Sequence, residues 1–456
     1  MKEIREKIES SAMSPVQWLV VALCVFLNAQ DGFDISAVAY ASTGITNDWG
    51  LSGTELGAII SSGLVGIVVG AFVMSPLADW IGRRPCIVIC LALTAVGMFA
   101  ASAAAGPGSL TAWRFITGLG IGGVTASINV VVAEYTSPRW RGMSIGIYTA
   151  GFGVGATLGG LAAATLLDTQ GWRSIFVIGG ITSVVAIVLT LLILPESIAF
   201  LAQRRGAAAL DQVNRILHRM RISPVRQITR EVVQRGTENP LGQIAALFGR
   251  QLRSRTLLLW AGFFCSMFAF YFLSGWTPRL VVLGGHDAST AALIGSILAI
   301  GGSIGSVAFG LLSHRAGTIR LLLIFAALAA LVFVGFGLSM DSVPVLLVLG
   351  FSAGLLANGV FVGLFTLAPE LYSARIRGTG VGWANGVGRS GSVLAPIVVG
   401  VLVDRGLGAP VLYGLAAGLL VLLMVAVAAF RTLGLHHHSH AGETAVETET
   451  AQDAMP

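Results

Sequence analysis

Charge is scarce in this chain. Asp, Glu, Lys and Arg make up 11% of its 456 residues, where a soluble domain carries about 25%. That excludes a surface that faces water over most of its area. Cysteine is also scarce. Cys24, Cys86, Cys90 and Cys265 lie inside apolar runs or at their edges, with no disulfide framework and no metal-ligand spacing, and read as small buried hydrophobes. There is no phosphate-binding glycine loop, no metal cluster and no nucleophile–base motif, which argues against an enzyme and against direct drive by ATP. A cleavable signal peptide is missing too: the first apolar stretch has no small-residue cleavage site and continues as helix.

What the chain does have is long apolar runs. Hydrophobic residues make up 55% of it, and the mean hydropathy is +0.83. Stretches long enough to span a bilayer fall near 17–41, 54–78, 86–105, 109–135, 142–167 and 171–194. A second set falls near 255–280, 288–313, 319–340, 342–371, 377–403 and 408–431. The expected fold is an all-α integral membrane protein of twelve transmembrane helices in two six-helix pseudo-repeats. The halves are 1–194 and 255–434, joined by an arginine-rich linker, 195–254, and followed by a disordered tail, 435–456.

The first span carries two carboxylates, Asp31 and Asp34. An acid near the bilayer centre costs about 2.5–3.5 kcal/mol to insert, so such residues face a water-filled cavity or an internal partner and often carry protons or bind substrate. The i, i+3 spacing sets both on one helix face. The alternative is a helix that ends early and leaves both acids in a loop, but an apolar run resumes at once.

The distribution of basic residues sets the orientation. Of 28 Lys and Arg, only Arg173, Arg279 and Arg405 fall in segments opposite the N-terminus, and Arg114 and Arg389 lie within spans. By the positive-inside bias both termini are cytoplasmic, so the net charge of +6 does not signal nucleic-acid binding. In the linker, Leu210, Val213, Ile216, Leu217 and Met220 share one helical face, as in a helix lying on the inner leaflet or packed under the bundle. His436, His437, His438 and His440 in the tail could bind a metal, but a tail without function is the simpler reading.

An internal repeat supports the two halves. Glu134, Arg139, Arg141 and Gly142 recur at a single offset as Glu370, Arg375, Arg377 and Gly378. The segment Ser75–Arg84 faces Gly310–Gly317 at nearly the same offset. Two parallel six-helix repeats are a transporter architecture, with the site at the midplane between them. Small-residue stripes at Gly66 and Gly70, Gly118 and Gly122, Gly151, Gly155 and Gly159, Gly301 and Gly305, and Gly382 and Gly386 let helix backbones approach closely.

These residues resemble the major facilitator superfamily. Ser75 to Arg84, with Asp79, Gly82, Arg83 and Arg84 in place, is similar to its inner-loop signature, although Ser75 and Trp80 depart from the pattern. Arg114 to Gly123 resembles its fourth-helix motif, and Gly151 to Gly160 its glycine-rich fifth helix, without the common proline. Asp31-Gly-Phe-Asp34, Tyr271 to Pro278 and Arg377 to Gly391 further resemble the aromatic acid:proton symporter family, over about residues 15–432. The resemblance implies import of benzoate-type acids, such as hydroxybenzoates, protocatechuate or gentisate, with protons.

Topology assigns roles to single residues. With the first helix ending near 41, Asp34 and Arg114 share a depth and form a pair whose strength depends on protonation, while Asp31 sits deeper and closer to substrate, where it is expected to carry the coupling proton or, when protonated, to hydrogen-bond a substrate hydroxyl. The alternative is a static ion pair. A guanidinium holds a carboxylate by two parallel hydrogen bonds, so Arg389 is expected to bind the substrate anion, or else to bond backbone carbonyls structurally. Asn385, Trp383, Tyr271 and Phe268 complete the expected binding site; such rings equally serve bundle packing. Asp79, Arg83, Arg84, Glu134, Arg139 and Arg141, mirrored by Glu370, Arg375 and Arg377, are expected to form cytoplasmic gate ion pairs. No metal and no cofactor other than the coupling proton is expected, and the protein is expected to work as a monomer in the cell membrane. The competing readings are an efflux antiporter of the same fold and a transporter-like sensor signalling through the linker.

Overall fold

The computed structural model describes residues 7, 11, 13–203, 207–225, 240–249, 252–372 and 376–432. Among these, twelve helices are long and apolar enough to cross a membrane. The first half holds α1 (Pro15–Trp49), α2 (Gly53–Ile81), α3 (Arg83–Ser102), α4 (Pro107–Tyr135), α5 (Pro138–Gln170) and α6 (Arg173–Ile193). Three short linker helices follow: α7 (Ile198–Gln203), α8 (Ala207–Arg219) and α9 (Pro240–Leu247). The second half holds α10 (Arg253–Leu283), α11 (Ala288–Ala316), α12 (Thr318–Leu338), α13 (Val343–Leu367), α14 (Arg377–Asp404) and α15 (Ala409–Thr432). The His-rich tail segment and Arg375 lie outside the described residues.

Caps explain where α1 begins and ends. Ser14 and Gln17 form a reciprocal capping box at its start, and Gly50 closes it in a left-handed conformation. The helix therefore runs eight residues beyond the expected end near 41, and its midpoint falls at Gly32. Asp31 and Asp34 straddle that midpoint, so Asp34 is not about seven residues from the helix end, as an end near 41 implied.

The repeat is visible in the packing. α2 packs on α4, α1 on α5 and α3 on α6; in the same order α11 packs on α13, α10 on α14 and α12 on α15. Glycines set the closest of these crossings. A side chain on Gly66 or Gly70 would overlap the carbonyls of Phe115 or Leu119, and one on Gly301 or Gly305 those of Phe351 or Leu355. Gly382 and Gly386 differ from expectation: both are exposed and face open space rather than a helix. Helix α8 packs under the first half, with Val213, Ile216, Leu217 and Met220 buried against Leu194, Ile198 and Leu201. Its apolar face therefore covers protein, not lipid.

The halves meet through α2 with α14, α5 with α11 and α1 with α10. Their hydrogen bonds gather toward the end opposite the one where α1 begins. The Asp404 carboxylate accepts from Gly53 N and from Thr54 N and Oγ1. Ser61 Oγ donates to the Val393 carbonyl at 2.7 Å, and Ser289 Oγ to the Ala164 carbonyl at 2.8 Å.

Candidate functional site

The tetrapeptide Asp31–Asp34 is the hub of the first half, because each of its residues meets a different neighbour. Asp31 is 3% exposed, and its Oδ2 accepts from Thr125 Oγ1 of α4 at 2.8 Å. Gly32 lies against the Phe152 carbonyl of α5, where any side chain would overlap it. Phe33 packs beneath Gly159 of α5. Asp34 is fully buried; its Oδ2 accepts from Gln30 Nε2 at 2.9 Å, and its Oδ1 has no hydrogen-bond partner among the described residues. Gln30 is held in turn by Ser183 Oγ of α6 at 2.8 Å.

Arg114 does not form the expected ion pair with the Asp34 carboxylate. Its Nη2 donates to the Asp34 backbone carbonyl at 3.0 Å, Nη1 lies 3.7 Å from Met98 Sδ, and Nε has no partner among the described residues. The cause is packing geometry. α4 lies against the backbone face of α1 at Asp34, while the Asp34 side chain turns toward Gln30 and Gly179 of α6.

Between the halves lies a cavity of about 670 Å³, within the range of small-molecule sites. On α4 its wall is a helical stripe of Arg114, Ile121, Thr125 and Asn129. Arg389, Asn385 and Tyr271 face it from the second half, and Arg389 Nη1 donates to Tyr271 Oη at 3.3 Å. Neither Asp31 nor Asp34 lines it: Thr125 stands between Asp31 and the cavity, and Arg114 reaches the wall from beside Asp34. Asp31 thus does not itself line the substrate-sized space, contrary to the expectation that it lies closer to substrate. Among the described residues the wall holds two arginines and no carboxylate, together with the rings of Phe152, Phe270, Phe361 and Phe365.

Two expected binding residues lie elsewhere. Trp383 is 44% exposed and stacks on Trp260, with ring centroids 6.0 Å apart. It sits two residues from Asn385, and residues two apart on a helix point to different faces. Phe268 packs beside Phe264, centroids 6.1 Å apart, partly buried against the core of the second half, and the cavity wall on α10 begins only at Phe270.

The gate residues of the first half make their described contacts within that half. Asp79 and Arg83 pair across one helical turn, flanking Gly82. Arg84 donates to the Leu191 carbonyl, Arg141 to the Thr136 carbonyl at 3.5 Å, and Arg139 lies over the Trp140 ring at 5.8 Å. Glu134 accepts from Ser197 Oγ at 2.7 Å rather than from an arginine. The organising acid is one that sequence reasoning missed: Glu196, whose Oε1 accepts from Arg83 N at 2.8 Å, Arg84 N at 3.2 Å and Ser197 N at 2.8 Å. It caps α3, which has no cap of its own. Glu370 and Arg377 are exposed. Among the described residues no cluster of His, Cys, Asp and Glu is arranged to hold a metal ion.

A bundle of two repeated six-helix halves around a central cavity is the architecture of a secondary transporter. The major facilitator superfamily model matches residues 21–340 and 285–451. The chain belongs to that superfamily and is a transporter, not an enzyme. It is 32% identical over 415 residues to a gallate transporter of Pseudomonas putida, covering 91% of each chain. It is 31% identical over 441 residues to the 4-hydroxybenzoate transporter PcaK of Pseudomonas aeruginosa, covering 96% of this chain and 97% of that one. Among solved structures, a bacterial homolog of the human lysosomal transporter Spinster, inward-facing and occupied, superposes with a TM-score of 0.71 at 18% identity, covering 93% and 98%. The inward-open xylose transporter XylE of E. coli superposes at 0.69 and 16% identity, covering 91% and 96%.

Proposed function

We propose that this protein carries aromatic acid anions into the cell together with protons. The observation that carries the reading is the cavity wall, which holds Arg114 and Arg389 from opposite halves, aromatic rings and, among the described residues, no carboxylate. A planar guanidinium matches a carboxylate bidentately, and stacked rings suit a benzoate plane. Relatives named for gallate, 4-hydroxybenzoate, benzoate and gentisate support the same class. Asp31 and Asp34, buried at the midpoint of α1, are the groups able to take the coupling proton.

The positive-inside bias makes the arginine-rich end cytoplasmic, and contacts such as Asp404 with Gly53 and Thr54 hold the halves together at the other end. That arrangement supports an inward-facing state of an alternating-access carrier, working as a monomer with both termini in the cytoplasm. Cells expressing the protein in place of their own carriers should accumulate labelled gallate or 4-hydroxybenzoate, and a protonophore should abolish accumulation. Faster loss of preloaded acid on expression would instead mean export.

A further inference from the structure

The hydroxyl of Thr125 has one hydrogen and two acceptors. Asp31 Oδ2 lies at 2.8 Å and the Ile121 carbonyl, one turn back on α4, at 2.9 Å. Thr125 also lines the cavity, and Asp31 does not. The hydroxyl is therefore the contact through which the buried acid meets whatever occupies that space. The titratable groups that face Asp31 are Asp34 on its own helix, Cys90 of α3 and Tyr148 of α5. α4 contributes Thr125, with Arg114 three turns away at the Asp34 carbonyl, and α6 turns the neutral Gly179 and Ser183 toward this region.

We propose that Thr125 links substrate binding to proton binding: an anionic or hydroxyl oxygen of the substrate takes the single Thr125 hydrogen, and Asp31, left without its donor, binds a proton. This rests on the proposed transport of aromatic acid anions and adds a positioning residue that couples the two ligands. The balance is simple. Thr125 keeps its own proton throughout, and the proton that forms the new O–H bond on Asp31 is taken up from the bulk solution, leaving no hydroxide behind. Protonated Asp31 then donates to Thr125 Oγ1 while Thr125 donates to the substrate, giving a polarised chain of two hydrogen bonds. Departure of the substrate returns the Thr125 hydrogen to the Asp31 carboxylate and releases the proton. Coupling of this kind is reciprocal: a proton on Asp31 strengthens anion binding by the same factor as the anion strengthens proton binding.

Calorimetric titration of the purified full-length protein with 4-hydroxybenzoate and gallate, in buffers of different ionisation enthalpy, counts the protons taken up. Wild type should take up protons on binding, and its Kd should rise at least about fivefold from pH 6 to pH 8, the lower end of coupling between linked sites. Thr125→Val, which keeps the shape and loses the hydroxyl, should still bind but take up no proton, with a Kd flat in pH; Thr125→Ser should restore both. Thr125→Ala is the second variant if the valine protein is not monodisperse. Wild-type proton uptake in Thr125→Val or Thr125→Ala, or wild-type binding without proton uptake, overturns the inference while leaving the transport reading intact. Wild type that binds neither acid overturns both.

Discussion

Arg114 Nη2 donates to the main-chain carbonyl of Asp34 at 3.0 Å, and the Asp34 carboxylate is left to Gln30. The arginine is anchored to α1 by the backbone and lines the wall of the cavity, while its buried Nε has no partner among the described residues. Its charge is therefore not cancelled by a direct carboxylate contact.

It follows that Arg114→Lys should raise the apparent KM for the aromatic acid about tenfold or more. A lysine ammonium is a point charge that cannot bond the carbonyl and present a fork to an anion at once. Initial uptake rates at matched expression check this, and an unchanged KM would assign the anion to Arg389 alone.

Arg389 and Tyr271 should separate by size of effect. The 3.3 Å bond between Arg389 and Tyr271 orients the guanidinium, so Tyr271→Phe should cost one hydrogen bond, about 1.5–3 kcal/mol at most for a bond to a charged group. Arg389→Lys removes the fork itself and should raise KM further. Trp383→Ala, on the outer face of α14, should leave KM at the wild-type value. A rise in KM for Trp383→Ala equal to that for Arg389→Lys would contradict the placement of these side chains.

The fold was legible because spans are written in hydropathy and the repeat in charged loops. The ends were not. Thr46, Asn47 and Asp48 read as loop, yet α1 continues through them to its cap at Gly50, since helix geometry is indifferent to polarity once water is available. Asn385 and Arg389 were found because i, i+4 spacing predicts a shared face. Trp383 was misplaced by proximity in sequence alone. Thr125 carried no signal of its own, because a threonine in a spanning helix commonly bonds the carbonyl four residues back. The stripe Arg114, Ile121, Thr125 and Asn129 would have flagged it. Glu196 and Asp404 act on backbone N–H groups of distant helices, a pairing that no local pattern announces.

Gly32 should be intolerant for a packing reason rather than a chemical one. A Cβ there would overlap the Phe152 carbonyl, and overpacking costs about 1–3 kcal/mol. Gly32→Ala should lower the thermal midpoint of the purified protein, while Gly382→Ala, facing open space, should not. Equal midpoints for the two variants would show that α1 and α5 are not in close contact at this point.

Asp404 should control how readily the cavity opens at the end opposite the arginines. Its carboxylate belongs to α14 and accepts from Gly53 N and Thr54 N and Oγ1 at the start of α2, so the halves cannot part there without breaking charge-assisted bonds. Each such bond contributes about 1.5–3 kcal/mol, and Asp404→Asn keeps only one acceptor oxygen and no charge. The closed arrangement should lose at least one bond's worth, so the open population should rise about tenfold or more, taking 1.4 kcal/mol per factor of ten. A cysteine at Ser61, buried where α2 meets the Val393 carbonyl of α14, reports the opening, and the four native cysteines are buried. Maleimide should label Ser61→Cys about tenfold faster when Asp404→Asn is added than in the single variant. Equal labelling rates would mean that the Asp404 contacts do not hold the halves together, leaving Ser289 and Ala164 as the pair to break next.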